Sequence, residues 1–162
     1  MVDLVNGLKK TIPLQTRRQS LQSKKFIPRF RSDLVYDKQK LTSILSNKKT
    51  QILDARATGR FMGTQPELRP NIPSGHIPGS FNLPFGEILD PHAGTFLSPV
   101  QIKERLEQVG ISLERPIVAT CGSGVTACAL AVGLHLLGHP DIPVYDGSWT
   151  EWASDSATPK AP

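Results

Sequence analysis

The sequence predicts an α/β fold built on a parallel sheet flanked by helices, and three observations carry that expectation. Short apolar runs sized for buried strands, Gln51 to Asp54 and Pro116 to Thr120, alternate with segments of helical period. Helix start and stop signals bracket those segments, Ser98-Pro99 before one and Gly138 after another. The length of 162 residues, 38% of them hydrophobic, fits a single core of ordinary size with some chain left over.

Lys9 to Ser32 contains Pro13, Pro28 and many Gln and Ser without a sustained period, which marks an arm or linker. Asp33 to Tyr36 is expected as a short strand. Asp37 then caps a helix that places Leu41, Ile44 and Leu45 on one face. Gln51 to Asp54 follows as a buried strand. From Thr64 to Pro99, Pro and Gly recur every few residues, so ordered turns are expected with a brief extended piece at Ser80 to Leu83. Ser98 and Pro99 open a surface helix carrying Ile102, Leu106 and Val109 on one face, and Gly110 stops it. Ile117, Val118 and Ala119 form a strand buried on both faces that runs directly into Cys121. Ala127 to Leu137 is a largely apolar helix, and Pro143 to Tyr145 is the last strand. Ligand sites in such sheets lie at the carboxyl ends of the strands, which is where Cys121 sits.

The formal charge of +5 is unevenly placed. Residues 1–40 carry ten Lys and Arg against three Asp, whereas residues 41–162 carry nine against eleven acids. The basicity therefore belongs to the arm. There Arg17, Arg18, Lys24, Lys25, Arg29 and Arg31 punctuate an aperiodic stretch without the interleaved aromatics of a nucleic-acid face, so no nucleic-acid partner is expected. No window approaches the roughly 18 to 20 apolar residues of a membrane span, and no secretory apolar core follows Met1. A soluble, cytoplasmic protein without a membrane partner is the expectation. Cys121 and Cys128 are too close for a cross-link across the fold and lack zinc-site spacing, which points to a reducing compartment with no metal or other cofactor.

The segment Cys121-Gly122-Ser123-Gly124-Val125-Thr126 joins a buried strand to a helix, so its amides can converge on the cysteine sulfur. Such a cradle stabilises a thiolate. A free thiol near pKa 8.5 is only a few per cent ionised at neutral pH, so a depression of about two units would make it mostly anionic. Gly122 and Gly124 permit close backbone approach, while Ser123 and Thr126 offer hydroxyl donors to the sulfur or to a leaving enolate. The bland reading is an inert buried thiol beside a Gly-rich turn. Two glycines and two hydroxyls within six positions favour the cradle. Cys128, inside the apolar helix, is expected to be a small core side chain.

The loop and the segments around it resemble the catalytic domain of mercaptopyruvate sulfurtransferases, the two-domain branch of the rhodanese family. The resemblance runs from about Leu34 to Ala153. It includes Asp54-Ala55-Arg56, Gly59-Arg60-Phe61, Gly63-Thr64, Ser74-Gly75-His76-Ile77-Pro78-Gly79 and Tyr145-Asp146-Gly147-Ser148-Trp149. It implies a catalytic rhodanese domain over residues 33–155, a tail over 156–162, and an arm over 1–32 whose Val2 to Lys10 is similar to the end of a preceding rhodanese domain.

The resemblance also implies a reaction. Cys121 takes sulfur from 3-mercaptopyruvate as a persulfide, pyruvate leaves, and the sulfur passes to a thiol, thioredoxin or cyanide. Ser123 matches the family's loop serine, and Arg60 and Arg69 match the arginines that hold the substrate carboxylate, a task suited to bidentate guanidinium. Gly122, Gly124, Val125 and Thr126 complete the expected substrate loop. Because Gly122 and Ser123 are neutral where thiosulfate-using relatives carry basic residues, mercaptopyruvate is the expected donor. His76 is expected to satisfy backbone groups, and Trp149 and Trp152 to cap the core.

The family's cleft lies between two domains, so a separate chain supplying the first one is an expected partner. The arm, basic and poor in acids from Met1 to Phe26, also fits a mitochondrial presequence. Two rivals remain. A cysteine phosphatase needs an arginine six residues after the nucleophile, where this chain has Ala127. A carrier or docking module would hold persulfide without efficient turnover.

Overall fold

A computed structural model describes residues 25–47 and 49–162. The chain divides into two units, residues 1–30 and 31–162. The described end of the first, Lys25 to Phe30, has no helix or strand. The readings placed on Val2 to Lys10, Arg17, Arg18 and Lys24 lie outside the described residues.

The second unit is a five-stranded parallel sheet. Its strands are β1 (Val35–Tyr36), β2 (Gln51–Asp54), β3 (Phe81–Asn82), β4 (Ile117–Thr120) and β5 (Val144–Tyr145), in the spatial order β1-β5-β4-β2-β3. Its helices are α1 (Lys38–Asn47), α2 (Thr58–Phe61), α3 (Pro99–Gln108), α4 (Ala127–Leu136) and α5 (Ser148–Ser154). The Asp33–Tyr36 strand is shorter than expected, because Ser32–Leu34 winds into a 3-10 turn before β1. Asp37 caps α1 as expected, its Oδ1 accepting from Lys40 N at 2.7 Å. Ser98 and Gln101 form a reciprocal capping box at the start of α3, with Pro99 at its first turn.

The two central strands, β2 and β4, are buried at every position and pair from Gln51↔Ile117 to Asp54↔Thr120. Because side chains alternate along a strand, neighbouring residues feed opposite layers. Leu53 and Ala119 join Leu83, Ile88, Ile102, Leu106, Leu130 and Leu134 on the side of α3 and α4. Ile52 and Val118 join Leu41, Ile77, Tyr145, Trp149 and Trp152 on the side of α1 and α5. Both tryptophans are core residues, with indole N–H groups donating to Pro73 O at 2.8 Å and Pro159 O at 2.7 Å.

From β2 the chain moves to β3 on one side, and from β4 it moves to β5 on the other. The connections therefore diverge between β2 and β4, leaving a crevice at their carboxyl ends. No helix among the described residues is long and apolar enough to cross a membrane.

Candidate active site

Two loops meet in that crevice. The first follows β2 and contributes Arg56 and, from α2, Arg60; the second follows β4 and contributes Cys121, Gly122, Ser123, Val125 and Thr126. With Leu68 they line a small open pocket of about 130 Å³. A larger hollow of about 450 Å³ lies at the amino ends of the strands, lined by Thr50, Arg115 and His139 among others. It contains no cysteine and is remote from the switch point, so size is a poor guide to chemistry here.

Cys121 is buried at the pocket floor. Burial pushes its thiol up, but the Thr126 hydroxyl and the N–H groups of Ser123, Ala127 and Thr126 bond the sulfur and together bring it below its ordinary pKa. These donors exist because the chain turns sharply out of β4 into the first turn of α4. Gly124 makes the turn at φ +82°, where a Cβ would also press to 3.2 Å from Asp146 O.

Several site residues were not anticipated from sequence. Ser148, buried at the start of α5, accepts from Gly124 N at 2.9 Å and Cys121 N at 3.3 Å while donating to Tyr145 O at 2.8 Å. It holds a left-handed φ of 52°, a conformation that costs a non-glycine residue about 1 kcal/mol or more. Trp149 N and Thr150 N donate to the carbonyls of Cys121 and Gly122 at 2.9 and 3.1 Å. The only hint of these contacts was the Gly147-Ser148-Trp149 string after the last strand.

Arg56 is the second addition. Fully buried, it makes a fork onto Asp54 at 2.6 to 3.1 Å, donates to Gly75 O at 2.8 Å, and pairs with Glu67 at 2.7 Å. Its guanidinium lies 4.7 Å from the Trp149 ring. With its donors engaged by protein, Arg56 braces the pocket wall. An arginine directly after a buried strand, two residues beyond an aspartate, is the signal that could have found it.

Of the expected substrate residues, Arg60 reaches the pocket beside Gly122, and its ion pair to Glu67 is loose at 3.5 Å. Ser123 lines the pocket, its N–H bonds the sulfur, and its side-chain position is exposed. Gly122, Val125 and Thr126 line the pocket, while Gly124 shapes the loop from behind. Arg69 does not reach it: this residue is exposed, next to the rim residue Leu68, without an ion-pair partner among the described residues.

Cys128 corrects an expectation. It is exposed rather than a core residue, with Sγ donating to Gly124 O at 3.4 Å. Helix α4 is apolar around its circumference but buries only the face of Ala127, Leu130, Gly133 and Leu134, so hydropathy alone could not say where Cys128 points. His76 behaves as expected, its Nδ1 bonded to Phe61 O at 2.9 Å and its ring stacked on Phe61.

The rhodanese-like domain family matches residues 37–155. The chain belongs to that family. It is 47% identical over 134 residues to thiosulfate/3-mercaptopyruvate sulfurtransferase 1, mitochondrial, of Arabidopsis thaliana, covering 83% of this chain and 35% of the relative. It is 42% identical over 156 residues to the 3-mercaptopyruvate sulfurtransferase of Rattus norvegicus, covering 93% of this chain and 52% of the relative. The crystal structure of the Escherichia coli 3-mercaptopyruvate sulfotransferase SseA aligns with a TM-score of 0.71 at 29% identity, over 90% of this chain and 53% of that one. The rhodanese-like chain thus spans between about a third and about half the length of these proteins.

Proposed function

We propose that this rhodanese-like chain is a 3-mercaptopyruvate sulfurtransferase that works through a persulfide on Cys121. The Cys121 thiolate attacks the substrate sulfur; the carbon–sulfur bond breaks and its electrons leave as the enolate of pyruvate, which takes up a proton. An acceptor thiolate then attacks the outer sulfur and regenerates the Cys121 thiolate. Cyanide in place of the thiol gives thiocyanate. The observation that carries the reading is the donor ring that lowers the Cys121 thiol inside a pocket walled by a guanidinium.

In this reading Arg60 binds the substrate carboxylate, and Arg69, exposed beside Leu68 and without an ion-pair partner among the described residues, is the second arginine that folds over the rim. Ser123 and Thr126 donate to the departing enolate and the sulfur. The acceptor is a thiol such as that of thioredoxin, and a second rhodanese domain is the partner proposed to complete the cleft. The cytoplasm is the proposed compartment, with the mitochondrion as the alternative that the plant relative's name supports.

Pyruvate release tests the reading. Wild-type protein should release pyruvate from 3-mercaptopyruvate and Cys121→Ser should not; persulfide formation with negligible turnover would instead favour the carrier. The plant relative's name also supports thiosulfate as a donor. Neutral Gly122 and Ser123 predict that mercaptopyruvate is preferred, and equal turnover of the two donors would remove that preference.

A further inference from the structure

The Gly122 carbonyl is held twice by one residue. Thr150 N donates to it at 3.1 Å and Thr150 Oγ1 at 2.6 Å. That carbonyl shares its peptide unit with the N–H of Ser123, one of the groups that bring the Cys121 thiol below its ordinary pKa. A trans peptide is planar, with its C=O and N–H pointing in opposite directions. Fixing the oxygen therefore fixes the direction of the Ser123 N–H.

We propose that Thr150 is a positioning residue for the Cys121 thiolate, its hydroxyl aiming the Ser123 N–H at the sulfur by anchoring the opposite end of the same peptide. The inference rests on the sulfur-transfer reading and deepens it. Gly122 has no side chain to pin its peptide, and in a glycine-flanked loop the peptide is free to rotate unless its oxygen is bound. The main-chain bond from Thr150 alone leaves a second lone pair of that oxygen open, and the hydroxyl occupies it. Thr150 never touches the reacting atoms, so its effect is on the thiol and not on substrate contacts.

The charged groups near the sulfur are Arg56 and Arg60 on the pocket wall, Glu67 paired with both, and Asp146 behind Gly124. None is altered by changing Thr150. The test is the pH dependence of Cys121 alkylation by iodoacetamide in the full chain, with Cys128→Ala as the common background.

The ratio of the rate at about pH 6.5 to its high-pH plateau reports the thiolate fraction. Thr150→Val should lower that ratio about threefold, and Thr150→Ser should restore it. Should the valine variant not fold, Thr150→Ala is read in the same way. A profile for Thr150→Val or Thr150→Ala that overlays the parent overturns the proposal, as does a loss that serine fails to rescue. Alkylation uses no sulfur donor, so the two readings fail separately. A shifted profile without pyruvate release refutes the donor assignment and keeps Thr150, whereas turnover with an unshifted profile refutes Thr150 alone.

Discussion

One hydroxyl and three main-chain N–H groups bond the Cys121 sulfur, and their sum outweighs the cost of burying it. Because they stabilise the anion, the thiol ionises at lower pH than a free cysteine, and reactivity rises with pH to a plateau reached earlier than usual. The midpoint of the alkylation profile should lie below that of a free cysteine for wild type. Thr126→Val removes the hydroxyl and should move that midpoint upward. Arg60→Leu should raise KM for 3-mercaptopyruvate about tenfold or more while moving kcat less, as expected when a charge-assisted hydrogen bond to a bound carboxylate is lost. Steady-state kinetics would check this, and an unchanged KM would remove Arg60 from the proposed site. Cys121 and its loop were legible because a strand, two glycines and two hydroxyls lie within a few residues of one another. Ser148, Thr150 and Glu67 were not, because each acts on the loop or its wall from a distant part of the chain.

Among elements, β2, β4, α1 and α3 were legible because period, caps and strand length agreed at each. The short strands were harder. The edge strands β1 and β3, and β5 next to β1, are two residues each, too short for periodicity to define, and the sheet order and not local pattern sets their limits. The four-residue α2 also went unseen, since its role is to bring Arg60 back towards the Cys121 loop. The junction between β2 and α2 depends on Arg56. Replacing it with methionine leaves Asp54 buried without its cation and Glu67 with only the looser Arg60, and should cost about 3–5 kcal/mol of unfolding free energy in urea titration. In α5, Trp152→Ala should cost about 3–5 kcal/mol by the same measurement, because the indole fills the α1 side of the sheet.

At the scale of the whole domain, residues 156–162 pack back onto it. Ala161 and His76 exchange main-chain bonds at 2.8 and 2.9 Å, and Pro159 O accepts from Trp152. This closure was not foreseen, since residues 156–162 carry no pattern that distinguishes a packed strap from a tail. The order of strands places two loops from different halves of the sheet against one sulfur, one bringing arginine and the other a donor ring. That convergence is what the proposed sulfur transfer requires. Intact-protein mass spectrometry after exposure to 3-mercaptopyruvate tests it most directly. The predicted result is a gain of one sulfur atom in wild type, lost on adding a thiol acceptor and absent from Cys121→Ser. No gain in wild type, or the same gain in Cys121→Ser, would contradict it.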